Sequence, residues 1–256
     1  MAMQSGGPSV SESHELRLDA ERIAHFRTQG YLSLDAITTE DEVRWLRSAY
    51  DEIVEDERAF KLRYEHTRED GFSGIITQIF MPERQCPKLL ETTYVANARR
   101  LAATLLGVDL EQCLYGGMLL IYKPAAAGRD TPWHQDEAYW EFPTQRCHSL
   151  SVWMALDDVT VDSGCMQFIP GSHALDVLRY RKLPGVEPLE LDEPVDLSGA
   201  VACPLAAGGA TFHYCRTLHH TASNTSPHPR RALTTIFHGP RTARLQPIVP
   251  PRIVGA

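Results

Sequence analysis

The segment Thr131–Glu137, with the sequence TPWHQDE, limits how this chain can fold, because it sets a histidine and a carboxylate two residues apart. Side chains at i and i+2 share a face in an extended strand, whereas a helix turns them roughly 200° apart. Pro132 opposes a helix interior and suits the beginning of a strand. The spacing therefore predicts that His134 and Asp136 face one cavity from the start of a strand.

A second polar segment, residues 218–231 with the sequence LHHTASNTSPHPRR, supplies further histidines and arginines. One of its histidines, added to His134 and Asp136, would complete the two-histidine, one-carboxylate ligand set of non-haem Fe(II) oxygenases. A lone His-x-Asp is expected by chance in a chain with eleven histidines, so the hypothesis depends on both segments. Of the neighbours His219 and His220, only one can face inward on a strand.

The bulk properties of the chain narrow its class. Its 256 residues are enough for one domain with a sizeable core. The net charge of −8 argues against nucleic acid or an anionic membrane as a partner. No apolar run approaches the ~20 residues of a membrane span. The six scattered cysteines contain no CxxC pair and indicate reduced thiols in the cytoplasm.

The domain boundaries are predicted from composition. The first residues are polar, rich in glycine and serine, and lack a secretory signal. We expect a disordered tail over 1–15 and a single domain over 16–256, with helices mainly in 18–107 and barrel strands mainly in 110–240.

Hydrophobic periodicity predicts helices first and strands later. Helices are expected over Leu18–Gly30, from a capping box at Thr39 with Glu42, and over Tyr94–Leu106. The charged stretch Lys61–Gly74 is expected to be an exposed loop. Strands are expected over Tyr31–Leu34, Ile75–Phe80, Leu114–Lys123, His148–Leu156, Met166–Ile169, Ala210–Tyr214 and Arg231–Phe237. This order predicts an α+β chain, mainly β, whose second half is a barrel or jelly roll.

Several short motifs follow one another in a fixed order. They are FRTQGYL at residues 26–32, His134-Gln135-Asp136, Trp153 before Ala155-Leu156-Asp157, Gly164-Cys165-Met166, Ile169-Pro170-Gly171-Ser172-His173, and His219-x-Thr221-x-x-Asn224-x-Ser226 with Arg230. From about residue 24 to 238 the chain resembles the phytanoyl-CoA dioxygenase family of Fe(II)- and 2-oxoglutarate-dependent oxygenases. The resemblance implies a double-stranded β-helix, a jelly-roll or cupin-like barrel, with supporting N-terminal helices.

The resemblance also implies the metal ligands. In this register iron is held by His134, Asp136 and His219, and His220 is the alternative to His219. Imidazole and carboxylate are suitable ligands for Fe(II). An aspartate at position 136 implies hydroxylation or a related oxidation, because halogenating relatives have a small residue there.

A co-substrate site follows from the same resemblance. Arg230 is expected to bind the distal carboxylate of 2-oxoglutarate, because a guanidinium matches a carboxylate with two parallel hydrogen bonds. Its neighbour Arg231 is the alternative in the motif and is otherwise expected to be an outward, solvated side chain. Thr221 stands where the family usually has serine, and Leu119 and Trp153 are expected to wall the site.

The resulting hypothesis is an enzyme that uses Fe(II), 2-oxoglutarate and O2 to hydroxylate or otherwise oxidise a C–H bond of a small molecule, with release of succinate and CO2. The alternatives are a zinc or other divalent-metal barrel hydrolase and a non-catalytic small-molecule-binding barrel. Tyr139, Trp140 and Phe142 line the pocket or pack in the core, and residues 179–199 are a candidate lid. The sequence identifies neither the substrate nor the oligomeric state.

Overall fold

The computed structural model describes residues 16–67, 73–140, 148–181 and 189–240. Its three longest helices are α1 (Ala20–Gln29), α2 (Glu40–Glu55) and α3 (Thr93–Leu106), close to their predicted positions. None of the helices in these ranges is long and apolar enough to cross a membrane. The predicted disordered tail lies outside the described residues, and the single domain over 16–256 stays a prediction.

The described strands form two main antiparallel sheets and a hairpin. The strands are β1 (Tyr31–Leu34), β2 (Phe60–Thr67), β3 (Ser73–Phe80), β4 (Leu114–Lys123), β5 (Thr131–His134), β6 (Ser149–Ala155), β7 (Met166–Phe168), β8 (Tyr180–Arg181), β9 (Glu190–Leu191), β10 (Val201–Cys203), β11 (Ala210–Tyr214), β12 (His219–Thr221) and β13 (Arg230–His238). The larger sheet has the order β1-β11-β6-β13-β4-β3-β2, and the smaller has the order β10-β7-β12-β5. The fold is a mainly β, double-stranded β-helix with N-terminal helices, which confirms the predicted class.

Strand β6 shows how the sheets and helices share the core. Its even-numbered residues, such as Val152 and Met154, pack with the helices in one apolar cluster. Trp153 points the other way and packs with Met166 and Phe168 of the smaller sheet. The strand thus has one face toward the helices and one toward the space between the sheets, as its alternating sequence predicts. The candidate site opens on the inter-sheet side.

The helix ends agree with the sequence in part. Asp19 caps α1 by accepting a hydrogen bond from the Arg22 amide, and α1 ends at Gly30 with a φ of 84°. Thr39 caps α2 by accepting from the Glu42 amide at 3.2 Å. Glu42 does not complete the predicted capping box, because its carboxylate accepts hydrogen bonds from the first amides of α3 instead.

The predicted loop over Lys61–Gly74 is wrong. Strand β2 occupies Phe60–Thr67 and β3 begins at Ser73, while residues 68–72 lie outside the described part of the chain. Strand β2 is the last strand of the larger sheet and pairs with β3. Charged residues are common on such edge strands, and they hid this one from hydrophobic periodicity.

Candidate metal centre and co-substrate pocket

Two histidines are brought together by strand pairing in the smaller sheet. His134 ends β5 and lies directly opposite His219, which begins β12. Their ring centroids are 4.1 Å apart. The Nδ1 atom of each ring lies 2.8 Å from a backbone carbonyl, that of Pro132 for His134 and that of Thr217 for His219. With Nδ1–H donating to a carbonyl, each Nε2 is left with a lone pair that can bind a metal ion.

Asp136 completes the group from a short turn rather than from the strand itself. Strand β5 ends at His134, Gln135 is extended, and Asp136 begins a 3-10 turn over Asp136–Tyr139. The predicted strand start is therefore wrong, although the extended backbone through Gln135 still points both side chains into one cavity. Asp136 Oδ1 lies 3.7 Å from His134 Nε2 and 3.5 Å from His219 Nε2.

The electrostatics of these three side chains suit a divalent cation. Burial lowers the pKa of His134, and it lowers the pKa of His219 strongly, so both imidazoles are neutral near pH 7. Burial alone would raise the pKa of Asp136, but His219 and His213 hold it well below its usual range. One ligand atom from each of the three side chains lies within 4.8 Å of the others. Two neutral imidazoles and one carboxylate at this spacing could hold a metal ion.

Two further side chains lie next to Oδ2 of Asp136, and the sequence analysis did not assign either of them to the site. Ser151 Oγ donates a hydrogen bond to Asp136 Oδ2 at 2.6 Å. His213 is buried, and its Nε2 lies 3.6 Å from the same oxygen. Ser151 and His213 lie opposite each other on β6 and β11. The only sequence signal for this pair was an inward-facing polar residue on each of two apolar strands.

His220 turns away from the group. Its ring stacks on Trp133 with a centroid distance of 5.0 Å and an interplanar angle of 21°. Its Nδ1 lies 2.7 Å from the Thr131 carbonyl. Of the two adjacent histidines, His219 is therefore the one whose ring faces the cavity.

Arg230 is a buried cation at the same cavity. Its side chain is 1% exposed, and its guanidinium lies over the Trp153 ring at 5.3 Å. None of its three guanidinium nitrogens has a hydrogen-bond partner among the described residues. Burial lowers its pKa to about 10, so it still carries a charge at neutral pH. An unpaired buried charge is costly, which makes this a strong site for an anion.

Arg231 has a different environment from the one predicted. It is not solvated but forms ion pairs with Asp157 at 2.8 Å and Asp51 at 3.0 Å. These pairs connect β13 to α2 and to the loop after β6. Arg231 already has carboxylate partners, whereas Arg230 has none in the described structure.

One cavity of about 380 Å³ is lined both by the group His134, Asp136 and His219 and by Arg230. All seven predicted site residues line it: Leu119, His134, Asp136, Trp153, His219, Thr221 and Arg230. The cavity is large enough for a small co-substrate beside a metal ion. Tyr139 and Trp140 also line it, as expected of a substrate pocket, while Phe142 lies outside the described residues.

The candidate lid contacts the turn that carries Asp136 and the residue before it. Gln135 Oε1 accepts hydrogen bonds from the Leu178 amide at 2.8 Å and the Tyr180 hydroxyl at 3.3 Å. The Leu189 amide donates to the Tyr139 hydroxyl at 3.1 Å. Within 179–199, residues 182–188 lie outside the described structure, and β8 and β9 form a short hairpin. The lid function stays a prediction.

Comparison with known proteins assigns the family. The family model described as "Phytanoyl-CoA dioxygenase (PhyH)" matches residues 26–232. The chain belongs to this family. An ectoine dioxygenase of Bordetella parapertussis is 26% identical, over 86% of this chain and 75% of the relative. An L-proline trans-4-hydroxylase of Streptomyces griseoviridis is 26% identical, over 93% of this chain and 92% of the relative.

A solved structure supports the same assignment. EvdO2 from Micromonospora carbonacea var. aurantiaca, crystallised with 2-oxoglutarate, is 34% identical over 90% of this chain and 96% of its own. The TM-score between the two structures is 0.74. The phytanoyl-CoA dioxygenase family member described here is therefore a non-haem oxygenase that uses Fe(II), 2-oxoglutarate and O2. Relatives named dioxygenases and hydroxylases do not support the alternatives of a zinc hydrolase or a non-catalytic barrel.

Proposed function

We propose that this enzyme hydroxylates a C–H bond of a small molecule and releases succinate and CO2. One observation carries the proposal: His134, Asp136 and His219 converge on a cavity that also contains the unpartnered Arg230 guanidinium. The first group fits a divalent metal ion, and the second fits the carboxylate of a co-substrate. Such a pair of subsites in one cavity is what a metal- and 2-oxoglutarate-dependent reaction requires.

The metal ligands in this proposal are His134 Nε2, Asp136 Oδ1 and His219 Nε2. The backbone carbonyls at both Nδ1 atoms hold the two rings in the orientation that presents Nε2. Three protein ligands leave positions for the co-substrate and O2. When bound, Fe(II) and 2-oxoglutarate would supply the electrons that activate O2, and O2 is the oxidant for the C–H bond.

Arg230 orients the co-substrate in this proposal by pairing with its distal carboxylate. Thr221 adds a hydroxyl donor, and Leu119 and Trp153 form the apolar walls. The charge pairing is strong because the guanidinium is almost fully buried. The carboxylate replaces the hydrogen-bond partners that the described residues do not provide.

The substrate end of the cavity is proposed to lie near Tyr139 and Trp140. These rings shape the pocket and exclude water from the reacting C–H bond. Asp136 occupies a ligand position that halogenation would need to be open, so the proposed outcome is hydroxylation or a related oxidation. The five described cysteines are free and buried, which supports the proposal of a reducing, cytoplasmic location.

The test is an anaerobic titration of metal-free protein with Fe(II) and then 2-oxoglutarate. A visible metal-to-ligand charge-transfer band is expected only when both are present. His219→Ala should remove the band because it removes a ligand, and His220→Ala should retain it because that ring faces Trp133. Asp136→Ala should abolish succinate formation. A wild-type protein that forms no band, or a band lost equally in both histidine variants, would contradict the proposal.

A further inference from the structure

A lysine lies directly behind the co-substrate subsite. Lys123 ends β4 and is fully buried. Its Nζ donates to Thr221 Oγ1 at 2.7 Å, to the Ala222 carbonyl at 2.7 Å and to the Thr221 carbonyl at 3.2 Å. A lysine ammonium has three N–H donors, so these three oxygens can take all of them.

The local backbone explains why these acceptors meet the lysine. The pairing of β12 with β5 shifts register between His219 and Thr221, and an irregular ladder leaves carbonyls to be satisfied by side chains. Lys123 is also the register partner of Arg230 on β13. The lysine therefore lies beside the unpartnered guanidinium as well as behind the threonine.

The surroundings leave the lysine little freedom. The Asn224 amide donates to the carbonyls of Lys123 at 3.3 Å and Pro124 at 3.0 Å. A Cβ at Gly164 would lie 2.3 Å from the Ala222 carbonyl oxygen and 3.5 Å from Lys123 Nζ. Such close packing fixes the position of the Nζ atom.

The direction of the hydrogen bond from Lys123 to Thr221 determines where the Thr221 hydroxyl can donate. Because Nζ donates to Oγ1, the hydroxyl hydrogen of Thr221 must point elsewhere. That hydroxyl has no second partner among the described residues, and Thr221 lines the cavity together with Arg230. Burial and the adjacent Arg230 lower the pKa of Lys123. A carboxylate bound nearby favours the ammonium form, in which all three N–H groups donate.

We propose that Lys123 is a positioning residue for 2-oxoglutarate: it holds the Thr221 hydroxyl as a donor to the distal carboxylate, beside Arg230. The inference rests on the proposed function, because it assumes that the carboxylate of 2-oxoglutarate binds at Arg230. Lys123 touches neither the metal ligands nor the reacting C–H bond in this proposal. It acts through Thr221, whose hydroxyl hydrogen it leaves free to donate to the charged carboxylate.

The test measures the affinity for 2-oxoglutarate from the anaerobic charge-transfer band of Fe(II)-loaded protein. Lys123→Met keeps the length of the side chain and removes its donors, and Thr221→Val keeps the shape and removes the hydroxyl. Each variant should bind 2-oxoglutarate about tenfold more weakly, since each loses a hydrogen bond to a charged group. The double variant should bind 2-oxoglutarate at most about threefold more weakly than Thr221→Val does, because both changes remove the same contact.

The control ligand is 2-oxovalerate, a five-carbon 2-oxo acid without the distal carboxylate. All three variants should bind 2-oxovalerate as tightly as the wild-type protein does. Lys88→Met changes an exposed lysine and should alter the affinity for neither 2-oxoglutarate nor 2-oxovalerate. Equal losses for both ligands, or fully additive losses, would show that Lys123 only supports the fold. If Lys123→Met does not fold, an unchanged 2-oxoglutarate affinity in Thr221→Val still overturns the inference. A wild-type protein without any band contradicts the proposed function instead.

Discussion

At the scale of single residues, Ser151 determines which carboxylate oxygen of Asp136 is left free for a metal ion. The Ser151 hydroxyl donates to Asp136 Oδ2, while Oδ1 faces the Nε2 atoms of the two histidines. A hydrogen bond of this kind keeps one carboxylate oxygen for the metal and holds the other away from it. The proposed ligand Asp136 is therefore oriented before any ion binds.

Replacing Ser151 with alanine should weaken metal binding without unfolding the chain. Loss of a residue that is hydrogen-bonded to a metal ligand typically weakens metal binding about tenfold or more. We expect such a loss for Ser151→Ala, measured by titrating metal-free protein with Fe(II) or Mn(II) under argon. The matched control is Ser149→Ala on the same strand, because the Ser149 hydroxyl contacts His238 instead. Equal affinities in the two variants would show that Ser151 does not orient the ligand.

At the scale of elements, one carboxylate connects two helices. Glu42 is 2% exposed, and its two oxygens accept hydrogen bonds from the Thr93 amide at 2.7 Å and the Tyr94 amide at 2.8 Å. These amides begin α3 and have no partner within the helix. A carboxylate at a helix N-terminus also interacts favourably with the helix dipole. Glu42 of α2 thus caps α3, which packs on β6 and β13.

Glu42→Ala should therefore destabilise the fold by about 2–4 kcal/mol, since it leaves buried amides without acceptors. Urea unfolding followed by circular dichroism measures this loss. Glu40→Ala is the control, because Glu40 is exposed in the first turn of the same helix. Its expected change lies within about 0.5 kcal/mol. Similar losses for the two variants would mean that the inter-helix bonds contribute little.

Elements with a clear apolar period could be predicted from the sequence, and those without one could not. β4 was predicted with its bounds, and β6 with its alternating faces, because their apolar residues reveal the buried side. β2 was missed because an edge strand tolerates charged residues. The 3-10 turn at Asp136 was missed because nothing in TPWHQDE distinguishes a strand from an extended stretch that ends in a turn.

The candidate site also has a part that the sequence predicts and a part that it does not. Its predicted residues lie in short contiguous motifs, which a sequence displays directly. Lys123 and Thr221 are 98 positions apart, and Ser151 and His213 meet through the register of two strands. Such pairs depend on tertiary pairing, so no local pattern of residues indicates them.

At the scale of the whole molecule, the buried histidines link stability to pH. Burial lowers the pKa of His134, His219 and His238, and it lowers that of His220 to about 4. In the unfolded chain a histidine has a pKa of about 6.5. The unfolded state of the metal-free protein therefore binds more protons than the folded state below this pH. It follows that the free energy of unfolding falls as the pH drops from about 6.5 toward 4.

His220 permits a direct test of this linkage, because its ring lies outside the cavity. Between pH 7 and pH 5 its shift accounts for a loss of about 1–2 kcal/mol in the free energy of unfolding. In His220→Asn this part of the loss should disappear, so the curve of unfolding free energy against pH becomes flatter. Urea unfolding of metal-free protein at several pH values measures the slope. His228→Asn, at an exposed histidine in the loop before β13, should keep the wild-type slope. A His220→Asn slope equal to that of wild type would mean that other groups cause the acid sensitivity.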